Sequence, residues 1–152
     1  PFLDNPMIPV VPPTHPLVGK EKLSLSVLKE DRFLSREEGS GSRKAIEDHL
    51  SERDVVLEDI MELGGSETIK QGLMAGLGIS ILSRHSVALE LATGLLVELY
   101  VESFPIVRSW CMVHHREKSL SPAAEAFIQF MHANGQQVRE MLRNRFMSAS
   151  IE

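Results

Sequence analysis

The stretch from Gly65 to Ser83 constrains the fold most. It reads as helix start, amphipathic helix, glycine turn, buried strand and polar strand end. Ser66 has the side chain of a good N-cap, and Glu67 places negative charge in the first turn, where the helix dipole favours it. Ile69, Leu73 and Leu77 recur at helical spacing. Gly72, Ala75 and Gly76 allow close packing, and Gly76 and Gly78 permit a sharp exit. Ile79 to Leu82 is a short apolar run, the pattern of a strand covered on both faces. Helix followed by buried strand is half of an α/β unit, and ligands in such sheets bind beyond the carboxyl ends of the strands. Ser83, Arg84 and His85 fall at that kind of position.

The rest of the chain continues the alternation. Met7 to Val11 is apolar, and Pro6 and Pro9 mark it as an edge strand or an extended crossover. A short helix over Leu23 to Leu28, capped by Ser24, precedes a strand at Arg32 to Ser35. The polar loop Arg36 to Arg43 leads into a helix ending near Leu50, with Ile46 and Leu50 facing inward. Val55 to Leu63 is expected to be a strand, Arg84 to Ala92 a helix stopped by Gly94, and Leu95 to Val101 and Ile106 to Val113 two further strands. Ser121-Pro122 opens the last long helix, with serine as cap and proline first. Ala124, Phe127, Ile128 and Met131 form its expected buried stripe, continued weakly by Val138, Met141 and Leu142. This order predicts an α/β fold.

Bulk properties narrow the function. A length of 152 residues suits one domain with a real core. The net charge of -5 argues against a nucleic-acid-binding surface in this segment. The single cysteine, Cys111, excludes an internal disulfide and fits a reducing compartment. No apolar run approaches the ~20 residues that span a membrane, and the start lacks the pattern of a secretory signal. The expected location is cytoplasmic, with no membrane partner. The opening at Pro1, without an initiator Met and directly in an extended segment, suggests a piece of a longer protein.

The loop Arg36 to Arg43 is the foremost ligand candidate. Its small residues let backbone approach an anion, and the helix starting near Ser42 points free N–H groups outward. Ser40, Gly41 and Ser42 supply hydroxyls and backbone, while Arg36 and Arg43 supply cationic forks. The alternative is a plain loop and cap with Arg43 solvated. Ser66 and Thr68 form a second candidate, for which structural capping is the competing role. Ser83, Arg84 and His85 form a third: Arg84 to grip a phosphate or carboxylate, His85 to report pH. The competing role is a helix start with Arg84 on the surface. Arg108, beside Trp110, is a fourth candidate that otherwise snorkels or pairs with a surface Glu.

Metal and catalytic chemistry are not expected. His114 and His115 are adjacent and point oppositely on a strand, while His15, His49 and His132 are isolated. There is no P-loop and no nucleophile elbow. Cys111, expected mid-strand between Trp110 and Met112, reads as a buried thiol. No cofactor is expected.

Four segments together resemble a known family. Glu67 to Gly94, Asp4 to Leu17, Arg36 to Arg43 and Phe104 to Met131 are similar, in order, to the effector domain of LysR-type transcriptional regulators. The resemblance is closest to the regulators of carbon-fixation (RuBisCO) operons and covers roughly residues 1–134. It departs where Glu38 stands for the usual proline, Ser42 for threonine and Gly65 for serine.

The resemblance implies a periplasmic-binding-protein-like (type 2) fold. Residues 17–103 would form one complete lobe. Residues 1–16 and 104–134 would supply crossover strands and the C-terminal part of the other lobe, with 135–152 a helical tail. It also implies a homodimer or homotetramer that contacts DNA only through an absent N-terminal domain. The implied effector is a small anionic metabolite between the lobes: ribulose bisphosphate, phosphoenolpyruvate, NADPH or 2-phosphoglycolate. Binding would shift the lobes, rearrange the oligomer and change promoter bending. The competing classes are a stand-alone solute-binding protein and a dimerisation module without a small ligand.

Overall fold

The computed structural model describes residues 1, 3–117 and 119–147, with the side chains of 138, 139 and 142–147 outside the description. The chain divides into two compact units, Pro6–Ile106 and Pro1–Asn5 with Val107–Glu152.

The larger unit is built on strands whose successive side chains enter two separate cores. Strand β1 (Leu3–Val11) sends Met7 and Val11 into one core and Ile8 and Val10 into the other. Strand β2 (Phe33–Arg36) does the same with Phe33 and Leu34. Strand β4 (Ser80–Ser83) follows with Ile81 and Leu82. Helix α1 (Gly41–Ser51) covers the first core through Ile46 and Leu50, and helix α2 (Ser66–Met74) covers the second through Ile69 and Leu73. Burial on both faces is why apolar residues stand side by side in these strands, as in Phe33-Leu34 and Ile81-Leu82.

Pairing sets the direction of every strand end. β2 and β3 (Ile60–Leu63) are parallel, with Arg36 opposite Leu63. A parallel bridge joins Phe33 to Ile79, just before β4. β1 runs antiparallel to β4 on one side and to β5 (Val97–Glu98) on the other. The carboxyl ends of β2, β3 and β4 therefore share one edge, where the loops after Arg36, Leu63 and Ser83 emerge.

Two glycines make this arrangement possible. A Cβ on Gly72 would lie 3.1 Å from Leu34 Cδ1, so α2 sits directly on β2. Gly78 has φ +152°, and a Cβ there would lie 2.0 Å from the Arg32 carbonyl oxygen. That carbonyl accepts from Ile79 N–H at 2.9 Å, the bond that seats β4 beside β2.

Several local expectations are corrected. β1 is not an edge strand. Pro9 turns its carbonyl toward Leu99 N–H on the β5 side, so its missing N–H is not needed by β4. Leu25–Lys29 is a 3-10 helix, and the Ser24 hydroxyl bonds Ser26 Oγ at 2.6 Å instead of capping it. β3 is shorter than expected, because pairing with β2 begins only at Ile60, opposite Phe33, the first residue of β2. Helix α3 is confined to Ala88–Ala92, with a turn in place of its expected first residues.

In the smaller unit, β6 (Ile106–Trp110) begins in the larger unit and ends earlier than expected. Cys111 therefore lies beyond the strand and is exposed, not buried. His114 and His115 are likewise in a loop and exposed. Helix α4 (Pro122–Met147) starts as expected, with Ser121 Oγ accepting from Ala124 N–H at 3.3 Å. Its expected stripe is not buried: Phe127 is 56% exposed, and Ala124, Ile128 and Met131 are partly exposed. A helical stripe is buried only where another element covers it. Met141 is exposed, and the side chains of Val138 and Leu142 lie outside the described residues.

Candidate effector site

The shared carboxyl edge gathers most of the candidate residues. Arg36 is the last residue of β2, and α1 begins five residues later. Ser40 is the N-cap of α1, its hydroxyl accepting from Arg43 N–H at 3.5 Å. Gly41 and Ser42 open the helix beside it. α2 starts at the same edge, but its cap is Gly65 with φ +84°, and Ser66 is the first helical residue. The Ser66 hydroxyl is thereby released from capping and accepts from Arg36 Nη1 at 3.2 Å. Arg43 Nη1 in turn donates to the Arg36 carbonyl at 3.2 Å. Arg36, Ser40, Arg43 and Ser66 thus form one connected cluster at two helix N-termini. Thr68 lies further along α2 and is exposed.

Each arginine of this unit's candidate set already holds a carboxylate. Arg36 donates to both Glu37 oxygens, from Nε at 2.7 Å and from Nη2 at 2.6 Å. Glu37 Oε2 also accepts from Gly65 N–H at 3.2 Å. The Arg36 guanidinium, helped by backbone N–H groups including that of Gly65, pulls the Glu37 carboxyl down to about 2. Arg43 bonds Glu47 at 2.7 Å and Glu62 at 2.6 Å, and both carboxylates hold its guanidinium more firmly protonated than usual. Arg84 pairs with Glu98 of β5. Burial pushes the Glu98 carboxyl up, against the opposing charge of Arg84.

The third candidate shares the edge but aims elsewhere. Arg84 N–H bonds the Pro6 carbonyl at 2.9 Å, which ties the end of β4 to β1. Its side chain borders a cavity of about 530 Å³ lined by Lys22, Glu98, Tyr100 and Pro105 among others. Ser83 accepts from the Ser86 N–H and hydroxyl, closing the turn in which His85 sits half-buried. Arg108 is exposed on β6, in the smaller unit.

Chemically, the edge offers bidentate guanidinium groups, a backbone N–H and hydroxyls to a small anion. Among the described residues no group of three or more His, Cys, Asp or Glu is placed to hold a metal ion. No helix among them is long and apolar enough to cross a membrane.

Residues 1–136 match the LysR substrate binding domain. The chain belongs to that family. It is 47% identical over 130 residues to the RuBisCO operon transcriptional regulator of Allochromatium vinosum, covering 86% of this chain and 43% of that protein. It is 40% identical over 137 residues to the transcriptional activator CmpR of Synechocystis, covering 90% and 45%. The chain therefore spans less than half the length of these curated relatives. Among solved structures, the Synechocystis CcmR regulatory domain in complex with 2-PG superposes with a TM-score of 0.82 at 36% identity, covering 90% of this chain and 65% of that one. The effector binding domain of QuiR in complex with shikimate superposes with a TM-score of 0.73 at 21% identity, covering 90% and 64%, and shares the fold. The expected periplasmic-binding-protein-like α/β fold is the fold observed.

In this LysR substrate-binding domain, the carboxylates were the residues that sequence reasoning missed. Glu47 was accessible to it, since i,i+4 spacing from Arg43 is a standard helix pair. Glu37 had a weaker signal, its place directly after Arg36 at a strand end. Glu62 and Glu98 had none, because only strand register brings them to Arg43 and Arg84.

Proposed function

We propose that this chain is the effector-sensing part of a LysR-type regulator of carbon-fixation genes, and that it takes a small phosphorylated or carboxylated metabolite at the carboxyl edge of β2, β3 and β4. The observation that carries this reading is the Arg36, Arg43 and Ser66 cluster at two helix N-termini. Its donors already hold a carboxylate in the bidentate geometry that an anionic metabolite would use. The 2-PG bound by the CcmR regulatory domain supports the same ligand class. On this reading the chain has no catalytic role and works in the cytoplasm as a homo-oligomer. It acts on DNA through a domain elsewhere in the polypeptide. Residues 17–103 make one lobe, 1–16 and 104–134 the crossovers and part of a second, and 135–152 a helical tail.

Thermal denaturation against a panel of phosphorylated metabolites and neutral controls tests the reading. A ligand at ~100 times its Kd adds about 2.7 kcal/mol, which raises Tm by several degrees. The expected result is a selective upshift with one anionic metabolite, reduced in Arg36→Ala and Arg43→Ala. Unchanged binding isotherms in both variants would refute the site assignment. No upshift with any anion would replace the sensor by a dimerisation module.

A further inference from the structure

We propose that Glu37 is a tethered competitor for the effector: its carboxylate occupies the Arg36 fork and the Gly65 N–H, and an anionic metabolite must displace it to bind. The inference rests on reading this edge as the effector site.

Three observations support it. The first is geometric. Glu37 takes two near-parallel charge-assisted bonds from Arg36 at 2.7 and 2.6 Å, and a third bond from Gly65 N–H at 3.2 Å. That is the arrangement by which a guanidinium and a helix start would hold a free carboxylate or phosphate. The remaining Arg36 nitrogen, Nη1, is on Ser66 Oγ. While Glu37 is seated, the Nε–Nη2 face of Arg36 is therefore taken, and Nη1 is already engaged by Ser66.

The second observation is that Glu37 can leave. Its side chain is 42% exposed, so release returns a carboxylate to water without stranding a buried charge. The other carboxylates serve differently. Glu62 ties Arg43 across from β3, and Glu98 holds Arg84 from a half-buried position on β5. Those pairs join separate elements, whereas Arg36 and Glu37 are adjacent residues at the end of β2. Displacing Glu37 breaks no link between β-strands, but it frees the Gly65 N–H and so changes how the loop after β2 is tied to the start of α2.

The third is thermodynamic. A group on a short tether competes at an effective concentration on the order of millimolar. The chain would then ignore trace anions and respond only when the metabolite is abundant. The Arg36 fork, helped by backbone N–H groups including that of Gly65, holds the seated carboxyl well below the usual carboxylate range, at about 2.

The test titrates the full chain with inorganic phosphate and with 2-phosphoglycolate, in the wild type and in Glu37→Gln, Glu38→Gln and Arg36→Ala. Glu38 is exposed one residue along, so its variant removes the same charge and leaves the seat intact. The expected result is that Glu37→Gln binds 2-phosphoglycolate about ten-fold more tightly than wild type. Glu38→Gln should stay within about two-fold, and Arg36→Ala should lose binding. If wild type binds through Arg36 but Glu37→Gln gains no more than Glu38→Gln, the competitor is refuted and the effector site stands. If binding is absent or indifferent to Arg36, both fall.

A second readout needs no variant to fold. Carboxyl NMR of wild type should show Glu37 titrating near 2 without ligand and in the ordinary carboxylate range at saturation with 2-phosphoglycolate. A value that stays near 2 in the complex overturns the proposal.

Discussion

Gly78→Ala isolates the contact that joins the two halves of the larger unit's sheet. The alanine must adopt φ +152°, which L-residues rarely occupy, at a cost of about 1–3 kcal/mol. Its Cβ would also fall 2.0 Å from the Arg32 carbonyl oxygen, a backbone atom that no rotamer change can move aside. The backbone must separate there, which costs the 2.9 Å bond from Ile79 N–H and strains the adjacent 2.8 Å bond from Leu34 N–H to the Ile79 carbonyl. Leaving such a buried pair unsatisfied costs about 1–3 kcal/mol. The expected destabilisation is thus about 2–6 kcal/mol by urea unfolding, with the m-value preserved. Gly94→Ala is the control, because Gly94 also has positive φ (+70°) but open space where a Cβ would go. It should lose only about 1–2 kcal/mol. Equal midpoints for the two variants would show that dihedral preference alone matters and that the close approach of strands does not.

Two other perturbations test the electrostatics. Lys70 Nζ lies 2.7 Å from Glu67 and 2.8 Å from the buried Glu90, whose second oxygen has no hydrogen-bond partner among the described residues. Lys70→Met should therefore cost about 3 kcal/mol by leaving Glu90 uncompensated, and adding Glu90→Leu should recover most of it; an additive double variant would contradict the pairing. Glu37, lowered from 4.5 to about 2, favours the folded state above pH 4.5 and loses that contribution as pH falls toward 2. Glu37→Gln should flatten the acid limb of a stability–pH curve in that window, and an unchanged limb would mean the carboxylate is not seated.

The segment from Gly65 to Ser83 shows how far local signals reach. The helical spacing of Ile69 and Leu73, the exit through Gly76 and Gly78, and the apolar run after it all describe backbone preferences within a few residues. The structure follows these, whereas Leu77, expected on the same stripe, falls beyond the end of α2 at Met74 and is 44% exposed. The placement of Arg36 and Arg43 at a strand end and a helix start was legible for the same reason. Elsewhere the same kind of reasoning failed at boundaries. Ser66 has a capping side chain, but two residues must carry the chain from Leu63 of β3 to α2. Gly65 makes that turn with φ +84° and takes the cap position.

What the sequence determined by itself was the α/β alternation, the two-faced burial of the strand after Gly78 and the identity of the cationic candidates, because each depends on periodicity or on residue type alone. Tertiary structure decided the partners. Parallel register of β2 with β3 delivers Glu62 to Arg43, and the antiparallel pairing of β5 with β1 sets Glu98 where Arg84 reaches it. It also decided that Ser66 faces Arg36 instead of its own helix. Those choices rest on contacts between residues far apart in the chain. Their energies become available only after the sheet has closed, so no local pattern records them.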